Sequence, residues 1–142
     1  MKGTDRYPVR LIGKTGEGSE GVFIVDEDED TDQCRLTFQF PGGEVTVKAL
    51  DYFKAMCQIR TELETKGWRP VCFGSAQNVY PSNMARDMGR GLKAYKMELG
   101  RRATTADLVR IIDTAPHLQP VSVEEQRQFY EQWLQSLGIN VK

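Results

Sequence analysis

The side chains best suited to chemistry in this chain cluster in GSAQNVYPSNMARDMGRGLKAYK (74–96), between two runs of apolar residues. The segment offers Asn78, Tyr80, Ser82, Asn83, Arg86, Asp87, Arg90 and Lys93 as candidates for binding a ligand or partner. Hydroxyls and carboxamides give and take hydrogen bonds, and a held guanidinium presents a planar fork suited to a carboxylate or phosphate. Asp87 directly follows Arg86 and could lock it by a hydrogen bond or cap a neighbouring amide. Met84 and Met88 lie four apart, so both are expected to face the core across one helical turn and to turn Arg86 outward or toward a cleft. Tyr80 precedes Pro81, which biases it to an extended backbone. A loop of this length inside a compact domain is usually functional or disordered. A purely structural loop with a satisfied polar network is the competing reading.

Other chemistry is sparse. The one histidine, His117, sits in APHLQP and belongs to no Ser-His-Asp or Cys-His arrangement. No HExxH and no paired histidines occur, so no transition-metal site is expected. Cys34, Cys57 and Cys72 are odd in number and widely spaced, and each adjoins apolar residues. They read as free thiols packed as small hydrophobes. Asp87 and Asp113 could act as an acid and base only if the fold brought them together. The expectation is no catalytic set, no metal and no cofactor.

Two segments imitate known sites. LIGKTGEGSEGVFIV (11–25) holds Gly13-Lys14-Thr15 and a literal G-x-G-x-x-G at Gly16, Gly18 and Gly21. A dinucleotide fingerprint must follow a strand and open a helix. Here VFIV reads as strand and runs into acid, which would repel phosphate. A Walker loop would need glycine where Pro8 stands. The segment therefore reads as a glycine-rich hairpin. DEDEDTD (26–32) places Asp26, Asp28 and Asp30 at the first three ligand positions of an EF-hand. The sixth and twelfth positions are Thr31 and Thr37 instead of glycine and glutamate, which excludes that calcium loop. The segment reads as a solvated hairpin tip. Its functional alternative is an acidic contact, through Asp26, Asp28 and Asp30, for a partner with a basic surface.

The elements that must position these residues follow from periodicity. Tyr7–Ile12, Gly21–Val25, Cys34–Phe40 and Glu44–Ala49 alternate or are β-branched, and PGG (41–43) is a turn. Tyr52, Phe53, Met56, Ile59 and Leu63 then recur at helical spacing, with Asp51 as N-cap and Gly67 just past the end. WRPVCFG (68–74) and LKAYKMEL (92–99) read as strands, and LVRIID (108–113) as a strand or as part of a short helix from Thr105. Ser122 and Glu125 form a capping box, and Tyr130, Trp133, Leu134 and Leu137 make an apolar stripe closed by Gly138. Trp133 and Leu134 are expected to be buried against the sheet. The order predicts one α+β domain over residues 1–142. It is an antiparallel sheet of short strands with two main helices, about 51–66 and 123–137.

Bulk properties narrow the function. The chain has 142 residues, net charge −1, 39% hydrophobic and 27% charged residues, as a soluble domain does. Neither nucleic acid nor membrane is indicated, no span of bilayer length occurs, and no export signal opens the sequence, so the cytoplasm is expected. Charge is uneven: residues 1–50 hold six basic and ten acidic residues, and residues 51–100 hold eight and five. Residues 84–102 hold six basic and two acidic residues, a zone that could suit phosphates or form a solvated face.

DYFKAMCQIRTELE, NVYPSNMARDMGRGLKAYK and DLVRIIDT resemble a group of short bacterial proteins of unassigned function, over roughly residues 45–137. The resemblance implies a small bacterial cytoplasmic protein and carries over no catalytic residues. Small bacterial proteins with acidic patches are often immunity or accessory proteins. The expected function is therefore non-enzymatic recognition of another protein, most concretely immunity against a secreted toxin. The alternative is a small enzyme or a small-ligand or anion-binding domain using 75–96.

Overall fold

The computed structural model describes residues 3–27 and 33–139. The fold is α+β. Four strands open it: β1 (Gly3–Gly13), β2 (Gly18–Glu27), β3 (Cys34–Phe40) and β4 (Gly43–Ala49). They form an antiparallel meander, to which β5 (Trp68–Pro70) adds at the β1 side, giving the order β4-β3-β2-β1-β5. Alternation places Val9, Leu11, Phe23, Val25, Leu36 and Phe38 on the inner face, all buried. Gly21 lies on that face because a Cβ there would stand 2.4 Å from Phe38 Cζ.

Helix α1 (Tyr52–Thr65) supplies the other half of the core. Asp51 Oδ1 accepts the Lys54 N–H at 2.7 Å, and Gly67 leaves the helix at φ +82°. Tyr52, Phe53, Met56, Ile59 and Leu63 are fully buried. The helix packs against β3, β4 and β5. Because β4 and β5 are opposite ends of the sheet, the sheet must curl around it.

The second half is built of shorter pieces. β6 (Val79–Tyr80), β7 (Lys93–Lys96) and β8 (Leu108–Arg110) form a second antiparallel sheet. The 75–91 segment is more regular than its sequence suggests, since it holds β6 and a short helix, α2 (Asn83–Gly89). The 68–74 strand stops at Pro70 and gives way to a 3-10 turn at 73–75. The 92–99 strand shortens to β7. Over 105–113 a 3-10 turn at Thr105–Asp107 precedes β8, so both readings of that segment hold in part.

Helix α3 (Val123–Ser136) begins at the Ser122–Glu125 capping box. Its docking differs from expectation. Tyr130, Trp133, Leu134 and Leu137 are only half-buried, and the one buried residue of the helix is Gln126. The cause is its position: α3 touches β6 and α1 rather than lying across the large sheet. The Gln126 carboxamide takes the place of an apolar anchor. Its Nε2 is 2.9 Å from the carbonyls of Gly74, Ala76 and Val79. Its Oε1 accepts Arg60 Nη1 at 2.6 Å. Arg60, itself buried, also donates to Gly74 O and Val121 O, so this guanidinium is satisfied by neutral oxygens.

Candidate functional site

Between the small sheet and α3 lies a groove of about 250 Å³, lined by Tyr80, Ser82, Tyr95, Met97, Ala103, Tyr130 and Trp133. Strand pairing sets Tyr80 beside Tyr95. The i, i+3 spacing of Tyr130 and Trp133 brings both onto the groove side of α3. The rings form a row. Phe53 meets Tyr80 edge-on at 5.0 Å, Tyr80 stacks on Tyr130 at 4.1 Å and 14°, and Tyr130 on Trp133 at 6.2 Å and 25°. Trp133 Nε1 donates to Arg101 O at 2.9 Å, and Ser136 Oγ accepts the Gly100 N–H at 2.8 Å. These two bonds fasten the 98–103 segment to the helix. Burial pushes the Tyr80 phenol up from its ordinary value, while the adjacent Arg86 charge opposes that shift.

Arg86 supports the groove from behind. Its guanidinium lies 5.3 Å from the Phe53 ring centre and 5.6 Å from that of Tyr80, and pairs with Asp51 at 3.9 Å. Asp87, its candidate lock, is exposed. Met84 and Met88 share a face of α2 as their spacing requires, but that face points to solvent, with 69% and 82% of each exposed. The inward face of this short helix goes to Arg86, whose long stem and flat head cover two aromatic rings.

The remaining sequence candidates serve local structure or stand at the surface. Ser82 Oγ caps α2 by accepting the Ala85 N–H at 3.0 Å, and so joins the groove to that helix. Arg90 adopts φ +57° at the end of α2, and its carbonyl accepts the Tyr52 N–H at 2.7 Å. Asn78 holds Met97 through backbone and side chain. Asn83 and Lys93 are exposed. Asp26 forms an ion pair with Arg35. Asp28 and Asp30 lie outside the described residues. Tyr95, Met97, Tyr130 and Trp133 were absent from the sequence candidates. The i, i+3 aromatic pair on a polar helix was the available signal, and it reads equally well as core.

The glycine-rich segment is the β1–β2 hairpin. Gly16, at φ +88°, makes its turn. Glu17 folds back so that its carboxylate accepts the Thr15 N–H at 3.0 Å and the Thr15 hydroxyl at 2.6 Å. The Thr15 hydroxyl, reinforced by backbone hydrogen bonds, holds Glu17 below the usual carboxylate range. The loop thus already carries an anion on the donors a phosphate would need.

His117, at φ +68°, lines an open depression of about 470 Å³ with Arg10, Glu20 and Thr114. All three cysteines are free, and burial pushes their thiols up. Among the described residues no group of three His, Cys, Asp or Glu side chains could hold a metal ion, and no helix is long and apolar enough to cross a membrane. No family model matches the chain, and no curated protein matches it significantly.

Proposed function

We propose that this is a non-enzymatic binding protein of the bacterial cytoplasm that recognises another protein through α2 and the aromatic groove. The observation that carries this reading is the solvent-facing pair Met84 and Met88, set on a helix whose cap, Ser82, is also part of the groove wall. Aromatic residues, methionine and arginine are the side chains enriched at the centres of protein interfaces. Methionine adapts its shape to a partner. The groove volume of 250 Å³ falls below the ~300 Å³ at which small-molecule sites begin, so a single inserted partner side chain fits it better. Immunity toward a basic toxin is the most concrete form of the proposal. The five acids in residues 27–32 support it, because clustered carboxylates steer a basic partner, whereas Asp26 is taken up by Arg35.

Photo-crosslinking tests the reading. A benzophenone amino acid at position 88 should give one discrete adduct with a different protein in cells that naturally make this one. The same group at Glu62, on exposed α1 surface, should not. With the captured protein purified, Met88→Glu and Tyr130→Ala should each weaken binding at least about tenfold, as interface hot spots do. Equal labelling from both positions, or unchanged affinity in both variants, would rule out this surface.

A further inference from the structure

The outer edge of the large sheet is β4, Gly43-Glu-Val-Thr-Val-Lys-Ala49, and among the described residues its backbone pairs with β3 alone. The two-residue turn at Pro41–Gly42 makes Phe40 and Gly43 the hydrogen-bonded closing pair. Alternation then turns the N–H and C=O groups of Glu44, Thr46 and Lys48 away from β3, toward solvent. The same three side chains stand on the exposed face, while Val45 and Val47 point inward and are only half covered.

Among the described residues the charges at the two ends of this edge lack counter-ions. Across the β3–β4 ladder Lys48 faces Arg35, a like charge whose guanidinium is already paired with Asp26. Glu44 faces the neutral Gln39, whose Nε2 donates to it at 2.9 Å. Neither Glu44 nor Lys48 makes an ion pair among the described residues. The spacing Glu44-x-Thr46-x-Lys48 is also its own complement when reversed.

We infer that β4 is a self-association edge, where two copies of this chain pair antiparallel about a two-fold axis at Thr46. In that register Glu44 stands opposite the partner's Lys48, and Lys48 opposite the partner's Glu44. Thr46 stands opposite the partner's Thr46. The backbone groups that face outward are the ones this register joins. Val45 lies beside the partner's Val47, so the half-covered inner strip continues across the junction. Such an interface is isologous and closes at two copies, merging two five-stranded sheets into one of ten. Charged residues also occur on edges simply to block pairing. The two roles predict opposite responses to charge reversal.

Sedimentation of the purified chain over a dilution series decides between them. The expected species is twice the 16.1 kDa monomer. Lys48→Glu places like charges opposite each other at both symmetric positions and should weaken the dimer by about tenfold or more. Glu44→Lys should do the same, and the double swap should restore dimerisation because the complementarity is regained. Thr46→Pro removes an N–H that β3 does not use. It should therefore give a monomer with unchanged circular dichroism. A monomer at every concentration overturns the inference. So does a dimer indifferent to Lys48→Glu and Thr46→Pro, or a double swap no tighter than either single reversal.

Discussion

Around α1, the large sheet and helix bury Phe23, Leu36, Phe38, Met56, Ile59 and Leu63 completely, whereas α3 brings one fully buried side chain to the small sheet, the carboxamide of Gln126. In the first region stability comes from apolar area removed from water and is insensitive to direction. In the second, placement comes from hydrogen bonds of fixed geometry between Gln126, Arg60 and four main-chain carbonyls. The difference teaches how a protein can hold a helix accurately and still leave its aromatic face half open. Complete apolar burial of Tyr130 and Trp133 would have fixed α3 equally well and removed the groove.

The contrast is broken most directly in the core. Phe38→Ala should cost about 3–5 kcal/mol in denaturant unfolding, the range for a large buried aromatic. A loss below about 1 kcal/mol would mean that the inner face is not close-packed. Gln126→Leu should cost somewhat less, about 2–4 kcal/mol, because it removes the acceptor of a buried guanidinium and the donor to buried carbonyls while adding apolar volume. If Leu were neutral there, the clamp would be dispensable and the comparison would fail. Trp133→Ala should cost only about 1–2 kcal/mol, as fits a half-exposed ring. A loss as large as that of Phe38→Ala would place Trp133 in the core after all.

Acid should loosen the caps of the second region, as it should the Thr15–Glu17 turn of the first. Backbone hydrogen bonds at Thr104 and Ser122 hold Asp107 and Glu125 below their ordinary values. A carboxylate depressed in the folded state stabilises it above the unfolded pKa, and that contribution disappears as pH falls through the folded one. The contribution of these two caps should therefore be complete above about pH 5 and fade below about pH 4. The protection of amides at the start of α3, measured against their intrinsic exchange rates, should fall over that interval, and Glu125→Gln should flatten the response. Met88→Ser should have the smallest effect, within about 0.5 kcal/mol, since the side chain is 82% exposed. A larger loss would show that α2 uses that face for its own docking.

Much of the large sheet was legible in the sequence because period 2 in β3 and β4 and helical spacing in α1 each turn one face toward the core. The caps at Asp51 and Ser122 were legible for the same local reason. Spacing alone could not say which face of α2 turns inward. It put Met84 and Met88 together, but the choice between thioethers and the stem of Arg86 depends on the rings of Phe53, in α1, and Tyr80, in β6, which only the fold brings to that helix. Gln126 was invisible, a carboxamide in the polar run EEQRQ, because its partners are carbonyls 47 to 52 residues away. The α3 stripe is legible as apolar, but neither its partial cover nor its docking on β6 and α1 is. Of the groove, Tyr80 and Ser82 came from the sequence, while Tyr95, Met97, Tyr130 and Trp133 needed the fold to bring three elements to one place.

The buried carboxamide of α3 also has a consequence for motion. A helix fastened by the Gln126 carboxamide, by two hydrogen bonds to the 98–103 segment and by half-covered rings can lift away while the sheet around α1 stays closed, since little apolar surface would be exposed. Hydrogen exchange should therefore reveal two tiers of protection, with α3 amides opening at lower free energy than those of α1. In such a lifted state the stacked rings of Tyr80 and Tyr130 would separate and the groove of about 250 Å³ would widen. A partner side chain too large for the resting groove would enter by that opening, so its rate of arrival would be set by the lifting of α3 rather than by diffusion.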